Sequence, residues 1–291
     1  MAAIEIKNLK KHFGPTRAVD GISFDVEKKE IFGFLGPNGA GKTTTIRCMM
    51  DFIRPTDGSV SILGIDSRGA AVELKNKIGY LPGTVRLYDK WTGEDHIDYV
   101  RRLRKCNDNA RDMAKFLDLD ISVKTRHLSL GNSQKLGLIL ALMGDPEILV
   151  LDEPTLGLDP LFQDSVYELL KKANSEGKTI FMSSHYLGDV ERICDRVEII
   201  KEGKLVAAEG VRDLKQKRIY KVQAFFAGSF DRNAFEIEGV EITSETSESL
   251  SMDVKGDINP LIARLGNFEL RDLQIEHASL KDIFLEFYEK R

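Results

Sequence analysis

Apolar residues in the first two-thirds of the chain gather into short runs, IFGFL at 31–35, EILVL at 147–151 and TIFMSS at 179–184. Each is too short for a typical helix and lacks polar alternation, which predicts strands buried on both faces, as in a parallel sheet. Lys77 to Leu81 reads as one more strand. Between the runs the spacing becomes helical. Ile97, Val100 and Leu103, then Met113, Phe116 and Leu117, recur every three or four positions from Thr92 to about Leu119. Thr92 with Asp95 fits a capping box at its start. A further helix is predicted over Leu136 to Met143, with Ser129 as a candidate N-cap. The N-terminus, MAAIEIKNLKKHFG, opens as an amphipathic strand rather than a signal sequence.

After Gly210 the period changes. Residues 218–226 alternate as a strand, 239–243 and 248–254 as a strand pair, 257–265 as a short helix and 267–275 as another strand. This order suggests a small ferredoxin-like α+β unit over 213–291. Leu280, Ile283, Phe284, Phe287 and Tyr288 add a terminal helix, with Ser279 as its N-cap.

The first buried run leads straight into GPNGAGKTT, so a strand feeds a glycine-rich turn and then a helix. Gly36, Gly41, Lys42 and Thr43 satisfy GxxxxGK[ST], the pattern of a phosphate cradle. Glycines let backbone N–H groups crowd around phosphate oxygens, and the helix start directs its positive dipole end at the same charge. Gly36, Pro37, Asn38, Gly39, Ala40, Gly41, Lys42, Thr43 and Thr44 are the candidate nucleotide-binding residues. Lys42 is expected to reach the β- and γ-phosphates, and the Thr43 hydroxyl to ligate Mg²⁺. The run at 147–151 ends in Asp152 and Glu153, at the strand edge where open α/β sheets bind ligands. Asp152 suits a Mg²⁺ ligand and Glu153 a general base for the attacking water. In LSLGNSQK, Ser129 at the helix start would leave free N–H groups at Gly131 and Asn132 for an anion.

GPNGAGKTT, LSLGNSQK, ILVLDEPTLGLDP and MSSHYLGDVERICDRVEIIKEGKLVAAEG, in this order and spacing, resemble the ATP-binding cassette (ABC) family over residues 1–212. The resemblance implies an α/β P-loop NTPase of the ABC ATPase type with a helical subdomain inserted at about 90–145. It implies a head-to-tail dimer with a second copy of the chain, two ATP molecules lying at the interface. Ser129, Gly131 and Asn132 would then face the γ-phosphate held by the other copy, and Asp159 the crossing loop. Asp159 with Pro160 also reads as a helix N-cap. His185 matches the switch histidine that contacts the γ-phosphate and orients the water at Glu153, and Phe13 the aromatic that stacks on adenine. The ending SLKDIFLEF resembles the branch that exports drugs, antibiotics and lipids.

Three positions in two loops depart from the family. A glutamine expected after the strand at 77–81 is replaced by Gly83, which has no side chain to ligate anything. In the signature loop Leu130 replaces the second glycine and Asn132 a glutamine.

The chain has 291 residues, 42% of them hydrophobic, enough for one large and one small domain. Its net charge of −4 argues against a general nucleic-acid binder. Cys48, Cys106 and Cys194 lack metal-ligand spacing and read as reduced thiols. Arg101, Arg102, Arg104 and Lys105 read as a solvated helix face. No run reaches the roughly eighteen apolar residues of a membrane span. The expectation is therefore an ATP-hydrolysing transporter subunit, an exporter, in the cytoplasm and held peripherally on the cell membrane by a separate polytopic permease. The alternatives are a soluble regulatory ABC ATPase acting on a ribosome or nucleic-acid complex, and a non-hydrolysing ATP-dependent dimerisation switch.

Overall fold

The computed structural model describes residues 2–69, 71–106, 109–210 and 219–277, so the helix expected around 279–288 lies outside the described residues. The chain divides into two compact units, Met1–Val211 and Arg212–Arg291.

The first unit holds two sheets. Strands β1 (Ile4–Phe13), β2 (Thr16–Val26), β4 (Asp57–Ile62) and β5 (Ile65–Asp66) form an antiparallel sheet in the order β2-β1-β4-β5. The second sheet has six strands in the order β10-β9-β3-β8-β7-β6. These are β3 (Ile31–Leu35), β6 (Ile78–Leu81), β7 (Ile148–Asp152), β8 (Thr179–Ser184), β9 (Arg196–Lys201) and β10 (Lys204–Gly210). All pair in parallel except β9 with β10. Every residue of β3, β7 and β8 is buried, which is why their sequences read as unbroken apolar runs. Phe24 of β2 stacks against Phe32 of β3 with centroids 5.4 Å apart, and against Phe181 of β8 at 6.2 Å. Phe34 joins them, and these offset rings are the aromatic centre of a core formed by both sheets.

Helices α1 (Lys42–Met49), α2 (Ala71–Lys77), α6 (Pro160–Ser175) and α7 (Leu187–Ile193) connect the strands. The helical segment consists of α3 (Gly93–Arg104), α4 (Ala110–Phe116) and α5 (Leu130–Leu142). The Thr92–Asp95 capping box is present. The single long helix pattern is split in two, because Lys105 adopts φ 51° and closes α3. Arg104 departs from the expected solvated face. Its guanidinium is half-buried and donates to the carbonyls of Ile78 (2.9 Å) and Met143 (3.2 Å), tying α3 to β6 and to the end of α5. Two backbone carbonyls thus outcompete solvent for it. Among the described residues no helix is long and apolar enough to cross a membrane.

The second unit is an antiparallel sheet of β11 (Ile219–Phe226), β12 (Val240–Glu245), β13 (Ser249–Lys255) and β14 (Leu270–His277), in the order β12-β13-β11-β14. That is the ferredoxin-like order, with a 3₁₀ turn at Arg232–Phe235 in place of the first helix and α8 (Asn259–Leu265) as the second. Alternate residues Val222, Ala224 and Phe226, and Leu250, Met252 and Val254, form its core with Leu261 and Leu265 of α8.

One buried carboxyl of the first unit has an incomplete set of partners. Glu198 of β9 is 4% exposed and its Oε2 has no hydrogen-bond partner. Burial lifts its carboxyl to about 7, against the pull of Arg196 and with a further push from Asp25. The folded state therefore holds this proton more tightly than the unfolded state, and the stability so gained is present below the ordinary 4.5 and lost as pH rises through about 7. Glu198→Gln should accordingly stabilise the chain at pH 8 by about 2–3 kcal/mol relative to its effect at pH 4.5. Denaturant unfolding at the two pH values measures it, and a pH-independent difference would contradict the buried, protonated glutamic acid.

Candidate active site

The cradle begins where β3 ends. Gly39 and Gly41 have φ of 82° and 114°, and Gly41 is the N-cap of α1. A Cβ on Gly36 would lie 2.4 Å from the Ile200 carbonyl oxygen, and one on Gly41 2.4 Å from that of Ala18. The motif's glycines are thus demanded by close backbone approach, and at Gly41 by conformation as well. Pro37, Asn38, Gly39, Gly41, Lys42, Thr43 and Thr44 line a cleft of about 700 Å³. Gly36 and Ala40 stand behind it: Ala40 is buried, and its carbonyl accepts the Gly203 N–H. Lys42 is buried, and its Nζ donates to the carbonyls of Gly36 (2.6 Å) and Pro37 (3.2 Å) and pairs with Glu153 Oε1 at 3.2 Å. The ammonium is satisfied by three oxygens of the resting protein, as burial of a charge requires.

Asp152 and Glu153 come to the same edge from β7, two strands away from β3. Asp152 is buried and accepts the Thr43 hydroxyl at Oδ2 (2.8 Å) and the Ser183 hydroxyl at Oδ1 (2.6 Å). Glu153 has φ 53°, a left-handed conformation that costs a residue with a side chain about 1–3 kcal/mol and that clusters at functional sites. It is clamped there. Its N–H meets the Ser183 carbonyl (3.2 Å) and hydroxyl (3.1 Å), and its carbonyl accepts Gln134 Nε2 at 3.0 Å. Its Oε2 accepts His185 Nδ1–H at 2.8 Å and lies 3.3 Å from the His185 backbone N. A carboxylate acceptor places the proton on Nδ1, and the imidazole is about half exposed.

Gly83 also lines the cleft. A Cβ there would stand 3.2 Å from Asp152 Oδ2, so the loop backbone itself passes beside the Thr43–Asp152 pair.

Five expected residues lie away from these cleft walls. Ser129 caps α5, but its side chain accepts the Asn132 N–H at 3.1 Å. The Asn132 N–H is therefore taken by the cap, contrary to the expectation that it stays free for an anion. Gly131 approaches the loop after Glu153: its Cβ would fall 2.9 Å from the Gly157 carbonyl oxygen, while Leu130 lies over Gly157. Asp159 caps α6, accepting the Phe162 N–H at 3.2 Å. Phe13 is half exposed, with the Lys11 ammonium 4.8 Å from its ring centroid.

Residues 19–156 match the family described as ABC transporter. The chain is 33% identical over 293 aligned positions to an uncharacterized ABC transporter ATP-binding protein of Bacillus subtilis (strain 168), covering 97% of each. It belongs to the ABC transporter ATP-binding proteins. It is also 32% identical to the Nod factor export ATP-binding protein I of Burkholderia lata, over 98% of this chain and 96% of the relative. The solved dimeric structure of a bacterial ABC transporter cassette superposes with a TM-score of 0.65 at 26% identity, covering 72% of this chain and 99% of that one. This ABC subunit is accordingly an ATP-binding ATPase.

Several residues of the ABC site carry no motif signal when read alone. Arg47, Tyr80 and Arg86 line the cleft, and Ser183 and Gln134 hold the acidic pair. Burial, then the Asp152 charge, push the Tyr80 phenol up, so it stays a neutral donor. Ser183 was within reach as part of MSSH, but only the register that sets it opposite Asp152 reveals its task. Gly41→Ala tests the cradle. A side chain at φ 114° against the Ala18 carbonyl should cost about 2–4 kcal/mol of stability and abolish measurable ATP binding by calorimetry. Parental affinity would mean that the loop adapts.

Proposed function

We propose that this ABC ATPase hydrolyses ATP with Glu153 as general base and powers export through a separate membrane permease. The observation that carries the reading is the Lys42–Glu153–His185 chain beside the Thr43–Asp152 pair. One carboxylate and one hydroxyl suit Mg²⁺, which takes its remaining oxygens from phosphate and water, so Thr43 and Asp152 would hold it. Bound there, Mg²⁺ would neutralise charge on the phosphate oxygens. The backbone N–H groups of Gly39, Gly41, Lys42, Thr43 and Thr44 surround the phosphates, and Lys42 exchanges its carbonyl and Glu153 partners for β- and γ-phosphate oxygens. That exchange frees Glu153 Oε1, while His185 Nδ1–H keeps Oε2 in place. Glu153 then accepts a proton from the water whose oxygen bonds to the γ-phosphorus, as the bond to the bridging oxygen breaks and ADP leaves.

Ser129, Gly131, Asn132 and Asp159 serve the nucleotide of a second copy in a head-to-tail dimer. In support, these residues lie off the chain's own cleft and a similar cassette is dimeric. Phe13 offers an exposed ring for adenine, residues 1–212 form the nucleotide-binding domain, and 213–291 is an accessory domain. Export is supported by the Nod factor export relative. The permease, on whose cytoplasmic side the subunit sits, docks on the aromatic face of Tyr88, Trp91 and Tyr99, where Tyr88 and Trp91 rings lie 4.7 Å apart and Tyr88 is 62% exposed.

Glu153→Gln should retain ATP binding and lose about 10²–10³-fold in turnover. Gel filtration with Mg-ATP should then show an accumulated dimer, and a parental rate would remove Glu153 from the role of base. Tyr88→Asp should abolish transport in membranes while the purified subunit keeps its ATP turnover within about twofold, because the side chain lies outside the cleft. Affinity capture from native membranes that recovers ribosomes or DNA and no permease would refute the transporter assignment.

A further inference from the structure

Behind the Glu153–His185 pair lies a buried carboxylate that the mechanism above does not use. Asp189 sits in the first turn of α7 and is 2% exposed. Its Oδ2 accepts the hydroxyls of Ser184 (2.6 Å) and Thr155 (3.0 Å), and its Oδ1 accepts the Tyr167 phenol. Each donor comes from a different part of the site. Ser184 immediately precedes His185, Thr155 lies just beyond the left-handed Glu153, and Tyr167 belongs to α6, whose N-cap is Asp159.

The Ser184 hydroxyl accepts the Tyr186 N–H at 2.9 Å, and its one proton goes to Asp189 Oδ2 at 2.6 Å in preference to the Tyr186 carbonyl at 3.1 Å. Burial and the Asp189 carboxylate raise the Tyr167 phenol far above its ordinary range, which keeps it protonated and donating. Two carboxylate oxygens have enough lone pairs for all three hydroxyls, whereas an amide has one acceptor oxygen. None of these four residues lines the nucleotide cleft.

We propose that Asp189 is a positioning residue for ATP hydrolysis: it fixes His185, the turn after Glu153 and the loop 155–159 relative to one another, and so sets turnover rather than nucleotide affinity. The inference rests on the reading of Glu153 as base. Asp189→Asn preserves size but leaves at least one hydroxyl without its acceptor. The misplaced hydrogen bond between His185 and Glu153 then lowers the rate of the chemical step.

Steady-state kinetics on the full chain tests this, with Asp189→Asn, Tyr167→Phe, their combination and Glu153→Gln measured together. Asp189→Asn should lower kcat at least about tenfold with KM for Mg-ATP within about twofold of the parent. Tyr167→Phe should lower kcat about threefold and add nothing to Asp189→Asn, because both act through one carboxylate. If Asp189→Asn does not fold, a lowered kcat at unchanged KM in Tyr167→Phe supports the proposal and a parental kcat overturns it. An inactive Glu153→Gln beside a folded Asp189→Asn of parental kcat overturns the positioning role alone. Parental turnover in Glu153→Gln overturns the reading on which it rests.

Discussion

Strands β3, β8 and β7 lie side by side and parallel, with Leu35 opposite Ser184 and Asp152 opposite Ser183. Because parallel neighbours end at the same edge, residues more than a hundred positions apart arrive within hydrogen-bond reach. The cradle follows β3, the acidic pair closes β7, and the Ser183–Ser184–His185 segment leaves β8 between them. What holds this register is the burial of all three strands on both faces and the phenylalanine stack that joins the two sheets. A slip of one residue in β8 would turn Ser183 away from Asp152 and His185 away from Glu153.

Electrostatics then makes the site responsive. Lys42 and Glu153 are both largely buried and are each other's counter-ion in the resting chain. On the proposed reading, a polyphosphate competes for Lys42 with a larger charge than one carboxylate carries, and its arrival would free Glu153 Oε1. The strained backbone at Glu153 persists because Ser183 and Gln134 hold both its N–H and its carbonyl. Gln134 belongs to α5, so its side chain ties the helical segment to the Glu153 backbone.

The departures from the family pattern have local physical accounts. At Gly83 the chain brings backbone rather than a side chain up to Asp152, and a Cβ there would lie 3.2 Å from its carboxylate. At Leu130 the side chain covers Gly157, so the start of α5 and the loop before Asp159 form one packed surface. Arg104, which reads as a surface charge, is a brace between β6, α3 and the end of α5.

The sequence by itself determined the buried strands, the glycine-rich turn between β3 and α1, the Asp152–Glu153 pair at the end of β7, the Thr92–Asp95 cap and the succession of strands and helix in the second unit. Each of these is written in contiguous residues, where periodicity and local chemistry suffice. It could not decide that Asn132 loses its N–H to the Ser129 cap, that Lys105 breaks the long helix, or that Arg104 turns inward. It also left Ser183, Gln134 and Asp189 without a role. Those outcomes depend on which carbonyls, hydroxyls and carboxylates other segments deliver to the same point. That delivery is set by strand order and register, which no local pattern encodes.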